Sequence, residues 1–322
     1  MVPAPIRSTR RLRLATRGSP LARWQAGRVG ALVQARSGRR CELVVVKTTG
    51  DRLAEVRIDQ LAGQGAFVAE VQTAVIEGRA DVAVHSAKDL PALTPAGLVI
   101  AAVPERGDPR DALVGARLAD LPPGARVATG SVRRRAQLAW LRPDLGFVEL
   151  RGNMARRLER AAHEGAGVVA VAALVRLGLD GQIAEVLEPG AVLPQAGQGA
   201  LAVECRGDDA EARAVLAGID DPVAHRALLA ERAFLAALGS GCTLPVAALA
   251  TPSGFAVTPD RLRPEADGVR LEGMLASRDG RVVLRRTAEG DDPESVGRRL
   301  ATDLLERGGR FLDDWEPVEP QR

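Results

Sequence analysis

Short apolar runs alternate with helical stretches through the first half of the chain, and this alternation constrains the fold more than any other feature. Ser19 and Pro20 follow the first run, and this pair is typical of a helix N-cap and first helical position. Such strand–helix alternation favours a largely parallel, doubly wound sheet. From their apolar or alternating character, strands are predicted at residues 11–16, 42–46, 81–85 and 98–103.

The alternation starts again after the proline-bounded segment 104–109, which we interpret as a hinge. The segment 195–199 is predicted to be a second crossing between the two series. The sequence therefore predicts two similar α/β units, although no obvious sequence repeat relates them. In the second series the predicted strands are 127–129, 147–150 and 168–172, and the predicted helices are 131–141 and 153–164.

The end of the chain has a different pattern, which predicts a small α+β domain. Its predicted elements are a helix at 223–238, strands around Ala247, Phe255, Leu271 and Val283, and a helix at 293–306. A chain of 322 residues is long enough for two or three domains. The predicted division is 1–106 with 200–221 for domain 1, 107–199 for domain 2, and 222–322 for domain 3.

Composition excludes several functional classes. No apolar run approaches the roughly 20 residues needed to cross a bilayer, and the basic N-terminus lacks the apolar segment of a secretory signal. Three dispersed cysteines form no disulfide framework, so we expect a cytoplasmic protein. The net charge of +3 and the 2% aromatic content argue against binding to nucleic acid. No Cys/His spacing suits a metal such as zinc.

Cys242 lies in the loop GSGCTLP at 239–245, where glycines allow a bend that exposes the sulfur. A thiolate is a strong nucleophile, so this cysteine is a candidate covalent tether for a ligand. A buried structural cysteine is the alternative, and the local sequence leaves both open. Cys41 and Cys205 adjoin apolar runs and fit the structural interpretation better.

Two arginine-rich segments each follow a predicted strand and begin a predicted helix. The first is TGSVRRR at 129–135, and the second is RGNMARR at 151–157. Exposed N–H groups at a helix start bind anions, and arginine recognises carboxylate or phosphate in a bidentate manner. Each segment alone is equally consistent with a solvated basic helix face. Two instances in equivalent positions favour a ligand that has several acidic groups.

The segment HSAKDLP at 85–91 follows a buried strand and provides a candidate catalytic carboxylate. Asp89, beside Lys88, is suited to remain ionised near a cationic intermediate, but a surface turn with an ordinary ion pair is the alternative. A Cys–His hydrolase that uses Cys242 with His85, His163 or His225 has no supporting sequence spacing.

Together these segments resemble the porphobilinogen deaminase family, also called hydroxymethylbilane synthases. The resemblance extends over most of the chain and weakens after about residue 250. It is carried by residues 15–22, 85–91, 108–112, 129–134, 150–153, 176–179, 197–200 and the Cys242 loop.

The resemblance implies an enzyme of tetrapyrrole biosynthesis, a transferase that joins four porphobilinogen molecules head to tail with release of ammonia. Domains 1 and 2 are expected to have the fold of periplasmic solute-binding proteins with the active cleft between them, and domain 3 to hold the cysteine. The expected cofactor is a dipyrromethane in thioether linkage to Cys242. The expected protein is a monomer that needs no metal, nucleotide, nucleic acid or membrane.

The resemblance also assigns roles to individual residues. Asp89 matches the catalytic aspartate of the family. Gln60, Gln64 and Phe67 match the lid over the active site, where family members often have lysines in place of the two glutamines. The expected ligands of the acetate and propionate groups are Arg17, Arg133, Arg134, Arg151, Arg157 and Arg176, with further contacts from Ser19, Lys88, Thr129 and Ser131.

A two-lobed binding protein for an acidic small molecule, without turnover, is the competing hypothesis. Fold alone does not separate the two, because one fold serves many functions. Cys242 and Asp89 favour the enzyme, since a binding protein needs neither a covalent tether nor a catalytic carboxylate.

Overall fold

The computed structural model describes residues 10–48, 68–239, 244–253, 256–258, 261–263 and 268–312. The chain divides into two compact units. The first unit comprises Met1–Arg106 and Ala200–His225, and the second comprises Gly107–Gly199 and Arg226–Arg322.

The first unit is built on a five-stranded sheet with the order β2-β1-β3-β10-β4. Strand β10 is antiparallel to both of its neighbours, whereas β1 is parallel to β2 and β3. The elements of this unit are β1 (Leu12–Arg17), α1 (Pro20–Ser37), β2 (Cys41–Val46), α2 (Ala69–Ile76), β3 (Val82–Ser86), β4 (Leu98–Ala102), β10 (Leu201–Arg206) and α6 (Ala210–Ala217).

Helix α1 begins and ends where local sequence requires. The side chain of Ser19 accepts a hydrogen bond from the backbone N–H of Ala22, and Pro20 occupies the first helical position. Gly38 ends the helix in the left-handed conformation, at φ 70°. The helix packs onto the sheet through apolar residues such as Val29, and burial of such a side chain contributes about 1.5–3 kcal/mol.

The second unit contains a five-stranded sheet with the order β7-β6-β8-β5-β9. Strand β5 is antiparallel to β8 and β9, and β6 is parallel to β7 and β8. The elements are β5 (Asp111–Val114), β6 (Arg126–Ala128), α3 (Val132–Leu141), β7 (Gly146–Val148), α4 (Met154–Glu164), β8 (Ala166–Ala170), α5 (Val171–Arg176) and β9 (Ile183–Leu187).

The two sheets have the same topology. Strands β1 to β4 of the first sheet correspond to strands β6 to β9 of the second. In both sheets these four strands have the spatial order second, first, third, fourth, and one antiparallel strand is inserted between the third and the fourth. The inserted strand is β10 in the first sheet and β5 in the second. The expectation of two similar α/β units is therefore confirmed. The inserted strands β5 and β10, and the edge strand β9, were not predicted, because short strands of this kind have little periodicity of their own.

Two predicted strands, 147–150 and 168–172, extend two residues too far, and β7 ends at Val148. Strand β8 ends at Ala170, and Val171 begins helix α5. The error is understandable, because a short run of buried apolar residues has the same appearance in a strand and in a buried helix.

The last part of the second unit has the expected α+β character. Strands β11 (Val246–Ser253), β14 (Gly268–Ala276) and β15 (Val283–Gly290) form an antiparallel sheet with the order β11-β14-β15. Gly273 allows close packing on this sheet, since a Cβ there would lie 2.9 Å from Leu300 and Phe234 side-chain atoms. The remaining elements are α7 (Pro222–Ala237), the hairpin β12 (Ala256–Thr258) and β13 (Arg261–Arg263), and α8 (Pro293–Glu306).

The predicted strand near Phe255 falls on a residue outside the described part of the chain. Within the described ranges, none of the helices combines the length and the apolar character needed to cross a membrane.

Candidate functional site

The first unit has a pocket where β1 and β3 end. These strands are parallel neighbours, so Arg17 at the end of β1 and Ser86 at the end of β3 lie at the same edge of the sheet. The pocket is therefore lined by polar and ionisable side chains from three segments of the chain. Its lining residues are Arg17, Ser19, Leu21, Ala22, Gln25, Val68, Val84, His85, Ser86 and Asp89.

Asp89 is presented by a tightly held backbone turn. A single 3-10 turn, Ala87–Asp89, follows β3 directly. The N–H of Ala87 donates to the carbonyl of Ala200 at 3.0 Å, and the N–H of Leu90 donates to the carbonyl of Ala87 at 3.2 Å. Asp89 itself is exposed, and Lys88 is half-buried. The turn therefore fixes the backbone while the Asp89 carboxylate remains accessible at the pocket.

Gln25 supports the same turn, and sequence reasoning missed it. Its side-chain amide donates to the Ser86 hydroxyl at 2.7 Å, although Gln25 lies within helix α1 and is 3% exposed. A polar residue at a buried helical position was the available signal, because buried polar groups need specific partners.

In the second unit, the ends of two neighbouring strands bring the predicted anion-binding segments together. Strands β6 and β7 are parallel, and the N–H of Thr129 donates to the carbonyl of Val148 at 2.8 Å. Gly130 permits the close approach of the two following loops, because a Cβ there would lie 2.7 Å from the Leu150 carbonyl oxygen. Thr129 is buried, whereas Ser131 and Arg151 are partly exposed.

Helices α3 and α4 each begin with a side-chain cap at this edge. The hydroxyl of Ser131 accepts from the N–H of Arg134 at 3.4 Å, and Asn153 accepts from the N–H of Arg156 at 3.1 Å. Two adjacent helix N-termini concentrate N–H donors and positive partial charge at one place. The prediction that the two arginine-rich segments occupy equivalent positions is confirmed by this geometry.

Arg151 and Arg157 are partly exposed at the start of α4. The guanidinium of Arg151 forms an ion pair with Glu149 at 3.1 Å, and its side chain is 24% exposed. Arg157 donates from Nε to the carbonyl of Gly152 at 2.9 Å. Both side chains therefore lie partly exposed at the start of α4.

Arg133 and Arg134 are in a different environment, because both guanidiniums contact one buried carboxylate. Nη2 of Arg133 lies 2.8 Å from Oδ2 of Asp111, and Arg134 donates to Oδ1 from Nε at 3.0 Å and from Nη2 at 2.7 Å. Further donors go to main-chain carbonyls: Arg133 to Leu193 at 2.7 Å and Arg134 to Val168 at 3.0 Å. The resemblance implied that both arginines bind acetate and propionate groups. In the structure Arg133 is 3% exposed and Arg134 is 7% exposed.

Asp111 was not singled out from the sequence, yet its carboxylate contacts both buried guanidiniums. Burial raises its pKa, but the Arg133 and Arg134 guanidiniums and the Gln198 amide outweigh burial and hold that pKa well below 3.8. Burial is also the main cause that lowers the pKa of Arg133. Gln198 donates to the same carboxylate at 2.8 Å.

Arg176 contacts the segment at which the chain leaves the second unit. Its Nη2 donates to the carbonyl of Gly199 at 2.5 Å, and that carbonyl also accepts from the N–H of Gly107 at 3.1 Å. Burial lowers the pKa of Arg176 to about 10. Gly199 has a φ of +84°, and a Cβ there would lie 2.3 Å from the Gly107 carbonyl oxygen, so glycine is required.

Several predicted site residues cannot be placed. Gln60, Gln64, Phe67 and Cys242 lie outside the described residues. The other two cysteines are described, and both belong to the first unit. Cys205 is fully buried, and burial raises the pKa of its thiol to about 11; burial also raises the pKa of Cys41. Neither thiol is suited to act as a nucleophile at neutral pH.

Comparison with known proteins assigns both parts of the chain to one family. Residues 12–214 match the family model "Porphobilinogen deaminase, dipyromethane cofactor binding domain", and residues 225–306 match "Porphobilinogen deaminase, C-terminal domain". A porphobilinogen deaminase from Acidothermus cellulolyticus is 45% identical over 97% of this chain and 95% of its own length. A porphobilinogen deaminase from a Roseiflexus species is 46% identical over 93% of this chain and 97% of its own.

Likeness among solved structures is much weaker. A periplasmic substrate-binding protein of an ABC transporter from Coxiella burnetii is 14% identical over 66% of this chain and 92% of its own, with a TM-score of 0.40. This value adds nothing to what the strand order of the two sheets shows. The sequence relatives and the two matching family models, by contrast, extend over nearly the whole chain, and the chain belongs to the porphobilinogen deaminase family.

Proposed function

We propose that this chain joins four porphobilinogen molecules head to tail, with Asp89 as the catalytic carboxylate and Cys242 as the attachment point of a dipyrromethane. Each step releases ammonia, and the product is hydroxymethylbilane. The observation that carries the proposal is the exposed Asp89 in a pocket with Arg17 and Ser19, in a chain of this family.

The role of Asp89 follows from the charge that the reaction develops. When the carbon–nitrogen bond to ammonia breaks, positive charge appears on a pyrrole, and the ring N–H becomes a stronger hydrogen-bond donor. A fixed carboxylate that accepts this N–H stabilises the cation more than the neutral ground state. Arg17 in the same pocket provides a counter-charge for the acetate or propionate of the reacting ring.

The second unit has the donor set that an acidic dipyrromethane requires. The group supplies a covalently held pyrrole chain on which substrate units are added. Its acetate and propionate groups need cationic and N–H donors, which Arg151, Arg157, Thr129, Ser131 and the starts of α3 and α4 would provide. Arg133 and Arg134 add buried positive charge beneath these donors. We assign Arg176, Ser19 and Lys88 to further contacts with the pyrrole side chains.

Cys242 is the thiol best suited to the covalent link. The environment of the other two cysteines supports this assignment, because burial raises the pKa of both Cys41 and Cys205. We also propose that the protein is a cytoplasmic monomer without a metal, and that its cysteine-bearing domain begins near residue 222. Gln60 and Gln64 would make the lid less basic than in relatives with lysines there.

Intact mass of the purified protein tests the attachment. Wild type should carry the mass of a dipyrromethane and should colour with Ehrlich's reagent. Cys242→Ala should fold but show neither signal, whereas the matched control Cys205→Ala should show both if it folds. A coloured Cys242→Ala protein, or a peptide map that places the adduct on Cys41, would refute the assignment.

A second variant tests the catalytic carboxylate. Asp89→Asn should retain most of the cofactor mass and lose two or more orders of magnitude in turnover, because an amide provides no anion for the cationic pyrrole. Turnover close to that of wild type would show that another group has this role.

A further inference from the structure

A chain of buried polar side chains leads from the core of the first unit to the Asp89 pocket. Glu204, on strand β10, is fully buried, and its Oε2 accepts from the side-chain amide of Gln72 at 2.9 Å. Nε2 of His85 lies 3.2 Å from the same oxygen, off the line of an ideal hydrogen bond. The sheet register explains the proximity, since Glu204 pairs with Ala83, two residues before His85 on the same face.

This arrangement is costly if it serves only the fold. A carboxylate buried without a full counter-charge destabilises the protein by several kcal/mol, and an apolar residue would fill the same space without that cost. Among the described residues, Glu204 contacts Gln72 and His85 through Oε2, and its Oε1 has no hydrogen-bond partner. A polar group kept in such a place indicates a function for the residue that it contacts.

Glu204 determines how the His85 ring presents its other nitrogen. The tautomer with its proton on Nε2 suits this contact, because a carboxylate only accepts hydrogen bonds. In the neutral imidazole this leaves Nδ1 as an acceptor. Within the described ranges no group forms a hydrogen bond with His85 Nδ1, although the ring lines the same pocket as Asp89 and Ser86.

We propose that His85 is a further substrate-contacting residue, whose Nδ1 accepts a pyrrole N–H, and that Glu204 is the positioning residue that fixes its ring. The assignment rests on the proposed function. Each condensation brings two pyrroles together, and each ring has one N–H to be accepted. The pocket provides two acceptors, the Asp89 carboxylate and His85 Nδ1, so each ring has a partner as positive charge develops.

Two substitutions at His85 separate the contact with substrate from the contact with Glu204. His85→Gln keeps a polar group near the Nε2 position and removes the acceptor at Nδ1. His85→Asn does the reverse. We expect His85→Gln to be purified with the cofactor mass and a melting temperature near that of wild type, but with turnover at least about tenfold lower. His85→Asn should be less stable and should turn over faster than His85→Gln.

The control is His163→Gln, whose side chain is 77% exposed on helix α4, and its turnover should equal that of wild type. A folded His85→Gln protein that lacks the cofactor mass also supports the contact, because the cofactor consists of pyrroles. A cofactor-loaded His85→Gln protein with turnover within twofold of wild type would overturn the proposal. If wild type itself lacked the cofactor mass, the proposed function would fail instead.

Glu204→Gln tests the positioning role, and it remains informative if the His85 variants do not fold. It should lower kcat several-fold with little change in KM, because the pocket is intact but the His85 ring is no longer fixed. The double variant with His85→Gln should be no slower than His85→Gln alone. If kcat of Glu204→Gln equals that of wild type, or if the two effects multiply, Glu204 does not act through His85.

Discussion

Each five-stranded sheet contains an inserted antiparallel strand with a fully buried carboxylate, but the two carboxylates have different partners. Asp111 on β5 contacts the guanidiniums of Arg133 and Arg134, which are permanent cations. Glu204 on β10 contacts the imidazole of His85 and an amide. The equivalent inserted strand therefore carries a carboxylate in a fixed charge cluster in one unit and a carboxylate beside a hydrogen-bonding ring in the other. The two carboxylates differ in register, since Asp111 pairs with the last residue of β8 and Glu204 with the second residue of β3.

The two carboxylates differ in the side chains that contact them and in the position of those side chains in each unit. In the second unit, Asp111 contacts two arginines in the first turn of α3, where positive charge would suit an acidic ligand under the proposed function. In the first unit, the His85 ring that contacts Glu204 also lines the Asp89 pocket, and it offers a hydrogen-bonding nitrogen where Asp111 has two guanidiniums.

The largest effect should come from loss of the charge at Asp111. Asp111→Asn leaves two buried guanidiniums without an anion, and removal of one partner of a buried ion pair costs about 3–5 kcal/mol. Urea unfolding of wild type and variant measures this difference. Asp144→Asn is the matched control, since that carboxylate pairs with Arg142 at the surface and should change the unfolding free energy little. Equal stability of Asp111→Asn and wild type would show that the Asp111 charge does not stabilise the fold through its two arginine partners.

Acid should reduce the advantage of wild type over Asp111→Asn. The folded pKa of Asp111 lies below its ordinary value of 3.8, so its contribution to stability is present above that value and is lost as the pH falls. The difference in unfolding free energy between the two proteins should therefore shrink from about pH 5 to about pH 3. A difference that stays constant over this range would contradict the ionised, paired state.

Substitution of a buried arginine and of a partly exposed arginine should affect stability and cofactor loading differently. Arg134→Leu removes one of the two guanidiniums that contact Asp111, so it should lower both stability and cofactor loading. Arg151→Leu removes a partly exposed guanidinium, so stability should stay near that of wild type while the hold on a ligand carboxylate weakens by about 1.5–3 kcal/mol.

Intact mass and urea unfolding of the two arginine variants provide the measurement. Arg151→Leu should give apoprotein or stalled adducts of one to three rings in a stable protein. Normal cofactor mass and normal product from Arg151→Leu would exclude it from carboxylate binding. An Arg134→Leu protein as stable as wild type would mean that Arg133 and Gln198 are sufficient partners for Asp111.

The smallest effect on stability should come from Glu204→Gln. Glutamine has the shape of glutamate, and its side-chain oxygen can still accept a hydrogen bond from Gln72. The substitution leaves no buried charge without a partner, because the ring nitrogen of His85 that faces residue 204 can be a donor or an acceptor. We expect a loss of about 1–2 kcal/mol, well below that of Asp111→Asn, in the same urea experiment. A loss as large as that of Asp111→Asn would mean that Glu204 is also a fold anchor and would remove the contrast between the two units.

Local features of the fold were predicted from the sequence because their determinants are neighbours in the chain. Ser19 caps α1 as predicted, and Pro293 begins α8 as predicted. The predicted starts of α3 and α4, at residues 131 and 153, are one residue early, because Ser131 and Asn153 are the caps of these helices. The position of Asp89 just after a buried strand is also a local property. Membership of the family rests on the same short motifs and on their order.

Tertiary structure alone decided which charged residues are buried and which are exposed. Arg133, Arg134 and Arg135 are consecutive and chemically identical, yet the first two are buried on Asp111 and the third is exposed. Glu204 and Asp111 lie on inserted strands whose partners are distant in sequence, such as Glu204 with Gln72 and His85. The free energy of a buried charge depends on groups within a few ångströms in space, and the fold brings these together from separate segments.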